Sequence, residues 1–263
     1  MQQEEAARLA EALDVAWTTR RPIAPLTEAA GIETLEQAYE IQSQWHALRQ
    51  RAGDHSSGHK IGLSSKVMQQ QFGINEPDFG RVWASREFVP HDGVVVIPRN
   101  LFIQPRVETE LAVRLKHALS GPGVTIDQVV EMIAEVTVAI EIIDSRIENW
   151  RIKLFDTVSD NASYGGFALG SWNETLASQD LRTLQVAIQR NEGEIVRGQG
   201  SAALGHPAAA VAWLANKLAL FNNQIEAEAI VLTGSLCRAL TVESGDEFVL
   251  ELQGERHFKA TFV

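Results

Sequence analysis

An α+β chain is predicted, with a small α-rich segment over residues 1–58 followed by a β-rich domain over residues 59–263. Three observations predict it. The first fifty residues carry apolar positions at helical spacing and a capping-box pattern. From His59 onward, short apolar runs alternate with turn residues. Two segments, RVETELAVRL and EVTVAIEIID, alternate with the period of a strand.

Residues 3–18 set Ala7, Leu9, Leu13 and Val15 among charged positions, and the alanine-rich composition favours a helix. The Pro-containing stretch from Arg21 to Pro25 ends it. Thr34, followed three residues later by Gln37, opens a second helix running to about Gln50. Beyond His59, His91-Asp92-Gly93 and Ser120-Gly121-Pro122-Gly123 are turns between apolar runs. In RVETELAVRL, Arg106, Glu108, Glu110 and Ala112 share one strand face, and Val107, Thr109, Leu111 and Val113 share the other. In EVTVAIEIID, Val138, Ile140 and Ile142 share a face and Glu141 points the opposite way. Between these strands a helix is predicted from a Thr125 cap to Glu135, against the β-branched residues inside it. The later chain predicts a strand over 184–190, a turn at Asn191-Glu192-Gly193 and a helix from Pro207 to about Phe221. Trp213, Leu214 and Leu218 in that helix belong to the core. Strands near 229–233, 247–252 and 258–263 close the domain. The sequence contains neither a Rossmann glycine fingerprint nor a P-loop, and no convincing internal repeat.

The 263 residues are 45% hydrophobic, enough for one large domain with a smaller appendage. With 23 basic and 34 acidic residues, the formal charge is -11 and no basic run interrupts it, which argues against nucleic acid and an anionic membrane surface as partners. Cys237 is the single cysteine, so an intrachain disulfide and a thiolate metal cluster are excluded. The start MQQEEAARLAEALDVAW is acidic where a signal peptide is basic, and no stretch approaches the roughly 20 apolar residues of a membrane span. A cytoplasmic location is expected.

Glu108 and Glu110, two apart on one strand, can converge on a point, and Glu141 sits in an apolar run where an unpaired charge would cost several kcal/mol. Carboxylates facing one another in a dry site raise each other's pKa, and a divalent cation removes the conflict. An all-oxygen set without His or Cys suits Mg²⁺ or Mn²⁺. An ordinary solvated face would also carry an ExE pattern, so both readings stand at this level. Lys60, in SGHKIGLSS, reads either as a surface lysine or as a carboxylate clamp or, with a lowered pKa, a proton carrier. Asp78, Arg106 and Asp160-Asn161 are further polar residues in glycine-bearing or apolar surroundings. Arg146 is expected to pair with Asp144 or Asp156. Thr233-Gly234-Ser235, after an apolar strand, reads as a carboxylate-binding turn or as a plain strand end. His206 reads as structural, and His59 and Cys237 have no local catalytic partner.

The strings SGHKIGLSSKVMQQQFGINEPDFG, QPRVETELAV, VAIEIIDSRIENW, DTVSDNAS and GHPAAAVAWLANKLA together resemble the 2-oxopent-4-enoate (2-hydroxypentadienoate) hydratases of aromatic meta-cleavage pathways, within the fumarylacetoacetate hydrolase superfamily. The resemblance covers nearly the whole chain. It implies a mixed β-sheet, roll- or barrel-like fold with a small α-rich N-terminal part. It places metal ligands at Glu108, Glu110 and Glu141, catalytic residues at Lys60 and Asp78, and substrate contacts at Thr233 and Ser235; Arg106 is a further candidate substrate contact. Ser64, Asp160, Asn161 and Tyr164 fall around the pocket. Ser64 stands where threonine is usual and Tyr164 where close relatives often have cysteine. NEPDFG is the hydratase pattern, whereas the related 4-oxalocrotonate decarboxylases more often resemble TPIYG there.

The resemblance implies Mg²⁺- or Mn²⁺-dependent hydration of 2-hydroxypenta-2,4-dienoate or a close homologue to a 4-hydroxy-2-oxo acid, the dienol first becoming an enone whose C4 accepts water. Decarboxylation of a 2-oxo-3-enedioate needs the same enolate stabilisation and is the alternative. Acylpyruvate hydrolysis is disfavoured because no His-centred water activator stands near the ligand motifs. A non-catalytic partner subunit is a weaker alternative, since a scaffold has no need of clustered carboxylates. Self-association is expected, as is a complex with a pathway decarboxylase or aldolase, both from the resemblance alone.

Overall fold

The computed structural model describes residues 3–65, 69–70 and 74–263. Part of the SGHKIGLSSKVMQQQFGINEPDFG string, residues 66–68 and 71–73, therefore lies outside the described residues. Three helices open the chain: α1 (Gln3–Thr19), the short α2 (Leu26–Ala29) and α3 (Leu35–Arg51). The capping box at the start of α3 forms as predicted, Gln37 N donating to Thr34 Oγ1 and Thr34 N to Gln37 Oε1. Helices α1 and α3 meet the sheet through a cluster of Trp17, Trp45 and Trp83, packed edge to face at 5.1–6.1 Å between ring centroids. The α3 side chain Gln42 reaches under the sheet, donating to Phe79 O and Val158 O. Thr34→Ala removes the cap on this anchoring helix. We expect a loss of about 1 kcal/mol, read as a melting point lower by about 2–4 °C; an unshifted melt would mean the packing of α3 makes the cap redundant.

Among the described residues, twelve strands form two mixed sheets. The larger contains β1 (Ser56–Gly62), β2 (Asp78–Trp83), β4 (Arg106–Leu115), β5 (Ile133–Ile143), β6 (Tyr164–Leu169), β9 (Ile230–Leu232) and β10 (Leu240–Thr241), in the order β2-β1-β9-β4-β5-β6 with β10 beside β4. The smaller contains β3 (Val94–Ile97), β7 (Gln185–Arg190), β8 (Ile195–Gln199), β11 (Glu247–Leu252) and β12 (Glu255–Phe262), in the order β3-β12-β11-β7-β8. Two pairings, β1 with β9 and β3 with β12, are parallel; the other ladders are antiparallel. The sheets curl into the roll-like α+β architecture expected, since strand twist accumulates across a wide sheet. Between β4 and β5 lies α4 (Ile126–Met132), and later come α5 (Leu154–Ser159), α6 (Glu174–Ala177) and α7 (Pro207–Ala219).

The long strands β4 and β5 are buried on both faces over most of their length, so the carboxylates of the site stand among largely apolar neighbours. The helix predicted from Thr125 to Glu135 is shorter than expected. Its Thr125 capping box is present, but it stops at Met132, and Ile133 pairs with Leu115 as the first residue of β5. Sheet pairing of β-branched residues takes over where the helical pattern would have continued. Helix α7 starts with Pro207 at its first position, capped by His206, whose Nδ1 accepts from Ala208 N at 2.9 Å. His206 is thus structural, and Leu214 and Leu218 are core residues with Trp213 packed at the margin. Among the described residues, no helix is long and apolar enough to cross a membrane.

Candidate active site

The antiparallel register sets Glu108 of β4 directly opposite Glu141 of β5, and Glu110 opposite Ala139. Side chains opposite one another project from the same sheet face, so period-two spacing on β4 and cross-strand pairing bring the three carboxylates together. One ligand oxygen from each lies within 4.8 Å of the others. Glu110 and Glu141 are fully buried and Glu108 is partly exposed, which rules out the ordinary solvated face. Glu110 Oε2 accepts from Gly234 N at 2.8 Å. Glu110 Oε1 and both carboxylate oxygens of Glu141 have no hydrogen-bond partner. Burial first, and then repulsion from Glu141, pushes Glu108 up to about 7 and Glu110 well above the carboxylate range. Buried acceptors left unpaired and charges in mutual conflict are what a hard divalent cation resolves, and the all-oxygen donor set is that of a Mg²⁺- or Mn²⁺-type centre.

Strand β1 brings Lys60 to the cluster. Its ammonium is buried, 3.2 Å from Glu141 Oε1, and donates to Ala162 O at 2.9 Å. Burial alone would lower its pKa, but Glu141, Asp78, Glu108 and Glu110 outweigh that and hold it above the ordinary lysine value. Of the alternatives the sequence left open for Lys60, the lowered pKa is not the one that the geometry gives: four carboxylates from three other strands keep the ammonium charged.

Asp78 opens β2 opposite Gly62 of β1. Its carboxyl is buried, its Oδ1 has no hydrogen-bond partner, and burial raises its pKa to about 6 despite Lys60. Gly62 is what lets these groups converge: a Cβ there would lie 2.2 Å from Asp78 Oδ1 and 3.2 Å from Lys60 Nζ. At the other side Gly234, with φ +106°, packs against Ser64, whose Oγ would be 2.2 Å from an added Cβ. Ser64 is buried there beside the turn.

The remaining predicted residues divide. Arg106, half-buried, shares the Glu108 side of β4 and lies over the Trp150 ring at 4.5 Å. Thr233 and Ser235 flank Gly234, but their hydroxyls donate to Leu111 O at 2.9 Å and Cys237 O at 2.6 Å. The turn thus offers Glu110 a backbone N–H, and its hydroxyls are held by the chain. Tyr164 is fully buried, its hydroxyl exchanging hydrogen bonds with Trp83 N and O at 3.2 and 3.3 Å. That engagement fixes it in the core beside the Trp83 ring.

Arg146 pairs with neither Asp144 nor Asp156. Its Nε donates to Asp160 Oδ1 at 2.5 Å, while Asp144 accepts from Ile103 N and Gln104 N and Asp156 accepts from Thr27 and Lys153 N. Sequence proximity pointed to the nearer acids, but Asp144 is occupied by a loop and Asp156 by helix termini. Asn161 clasps the β2 backbone, donating to Arg81 O and accepting from Arg81 N. What sequence reasoning missed is that Gly234 N, read as part of a turn for a substrate carboxylate, serves Glu110 instead, together with the parts played by Ala162 O and Gly62. The glycine in KIGL, beside a candidate catalytic lysine, was the available signal for the last of them.

Comparison with known proteins gives a consistent neighbourhood. The model of the fumarylacetoacetate (FAA) hydrolase C-terminal family matches residues 59–263. The chain is 41% identical to the 2-hydroxyhexa-2,4-dienoate hydratase of Comamonas testosteroni, over 94% of this chain and 92% of that one. It is 38% identical to the 2-oxo-hept-4-ene-1,7-dioate hydratase of Escherichia coli, over 97% of each. The solved structure of 4-oxalocrotonate decarboxylase from Pseudomonas putida G7, complexed with magnesium and adipate, superposes with a TM-score of 0.95 at 33% identity, covering 100% of this chain and 99% of the other.

Proposed function

Because this chain belongs to the fumarylacetoacetate hydrolase family and carries a divalent-metal site of three glutamates, we propose that it hydrates a 2-hydroxy-2,4-dienoate to a 4-hydroxy-2-oxo acid. The observation that carries the chemistry is the buried Glu108–Glu110–Glu141 cluster with Lys60 and Asp78 beside it. A cation held by Glu108, Glu110 and Glu141 would supply a Lewis acid for negative charge developing on the substrate. Lys60, held charged, faces developing negative charge and donates to it. Asp78, with a pKa of about 6, can hold or release a proton near neutrality and is our candidate for moving protons between the carbon chain and the added water. Protonation at C5 of the dienol gives the enone. Hydroxyl at C4 and a proton at C3 then account for the water gained. Arg106, which lies over the Trp150 ring, is our candidate for meeting a substrate carboxylate at the margin.

Hydration is supported by the hydratases at 41% and 38% identity and by Asp78 in the NEPDFG motif. Decarboxylation of a 2-oxo-3-enedioate remains the second reading. The very high structural likeness to the magnesium-bound decarboxylase favours it, and the same metal and lysine would serve its enolate. The test is metal-dependent consumption of freshly generated 2-hydroxypenta-2,4-dienoate and of 2-oxohex-3-enedioate, with products identified by mass. Gain of one water from the first substrate is expected. Carbon dioxide released from the second with no hydration of the first would replace the proposal by the decarboxylase.

A further inference from the structure

Residues 161–163 make an unusual turn. Asn161, Ala162 and Ser163 all have left-handed backbones, at φ 54°, 52° and 53°, a run that side-chain-bearing residues rarely adopt and that persists only where surroundings hold it. The surroundings are specific. The buried Arg146 guanidinium brackets the turn, donating from Nη2 to Asp160 O and from Nη1 to Tyr164 O, both at 2.6 Å. Asp144 N donates to Ser163 O at 2.8 Å. Asn161 clamps the turn to β2 by two bonds to Arg81, at 2.8 and 2.9 Å. Gly80 permits this approach, since a Cβ there would lie 2.4 Å from Asn161 O. The carbonyl at the centre of the turn, Ala162 O, is the one that receives the Lys60 ammonium.

We propose that Asn161 is a positioning residue for Lys60: its clamp on β2 fixes the strained turn so that Ala162 O holds the ammonium in place over the carboxylate cluster. Among the described residues, Lys60 Nζ donates to Ala162 O and lies 3.2 Å from Glu141 Oε1. Glu141 is a metal ligand in the proposed function, so in the loaded enzyme the carbonyl is the partner that the cation does not claim. Without the clamp, the turn relaxes toward common backbone angles, the carbonyl moves, and Lys60 is free to swing. This inference rests on the catalytic role proposed for Lys60.

A double-mutant cycle with whichever substrate the protein turns over tests it. Asn161→Ala is expected to lower kcat on the order of 10- to 100-fold, with KM and the metal dissociation constant, read by calorimetry, unchanged within error. Asn161→Asp keeps the acceptor for Arg81 N but loses the donor, and should fall between. In the Lys60→Met background, Asn161→Ala should add almost nothing. Equal losses in both backgrounds, a loss that appears in metal affinity or KM instead of kcat, or no loss at all would overturn the proposal. Full activity of Lys60→Met alone would show instead that the catalytic reading of Lys60 has failed. Should Asn161→Ala not fold, Gly80→Ala displaces the turn with Asn161 intact, and the same non-additivity with Lys60→Met decides.

Discussion

Glu110→Gln is expected to make the metal-stripped protein more stable and the enzyme inactive. In the stripped protein three carboxylates converge within 4.8 Å, Glu110 Oε1 has no hydrogen-bond partner, and the single Lys60 ammonium near Glu141 cannot offset three negative charges. Glutamine keeps the shape, and its side-chain oxygen can still accept from Gly234 N, while one charge leaves the conflict. Metal affinity should fall by more than the roughly 10- to 100-fold typical of losing an outer partner, because a ligand itself is gone. Turnover at moderate metal concentration falls with it. The pH dependence carries the same sign. Glu108 and Glu110 have folded-state pKa values raised above the ordinary 4.5, so the folded stripped protein binds more protons than the unfolded chain. Their contribution is therefore fully present below about pH 4.5 and is lost as pH rises through about 7, the value for Glu108. Thermal melts between pH 5 and 8 should decline for the stripped wild type, decline less for Glu110→Gln, and flatten once Mg²⁺ or Mn²⁺ is added. A variant that melts lower than wild type when stripped, yet binds metal normally, would mean that Glu110 is not a ligand.

How much of this site could be read from the sequence depended on whether the determining physics was local. The glutamates were legible because period-two spacing is a property of one strand, and an acid within VAIEII is conspicuous wherever it folds. The full burial of Glu110 and Glu141 was not, since the register of Glu108 against Glu141 depends on how two strands separated by α4 pair. The choice among the alternatives open for Lys60 was not legible for the same reason: desolvation can be guessed from an apolar neighbourhood, but the four carboxylates that outweigh it come from β2, β4 and β5. Arg146 found Asp160 because a strained turn folds that acid back toward the strand end, a geometry that spacing does not encode. In the fold, the Thr34 and Thr125 caps were local and were found, whereas the end of α4 was set by Ile133 pairing with Leu115 and was misplaced by three residues. Short strands such as β3 and β10 carry too few residues for a period to emerge, and they exist because neighbouring strands receive them.

Lys60→Met should separate catalysis from metal binding in the direction opposite to a ligand substitution. The ammonium and a divalent cation compete for the same Glu141 carboxylate, which lies 3.2 Å from Nζ. Removing the ammonium leaves the cluster with more uncompensated negative charge. The stripped protein should then lose stability, breaking a buried pair costing about 3–5 kcal/mol, and added metal should restore more of it than in wild type. Metal affinity is expected to be equal or tighter. Turnover is expected to fall on the order of 10²- to 10⁴-fold even at saturating metal, the range associated with loss of a positioned proton donor. Methionine retains the length and unbranched shape of the lysine stem, so packing between β1 and the 161–163 turn is largely kept. Calorimetric titration with Mn²⁺ beside steady-state rates makes the distinction. If Lys60→Met binds metal more weakly and recovers full activity at saturation, the ammonium serves only to organise the glutamates; if affinity holds and activity does not return, Lys60 acts on the substrate, and the carboxylates and the ammonium have separable tasks within one buried cluster.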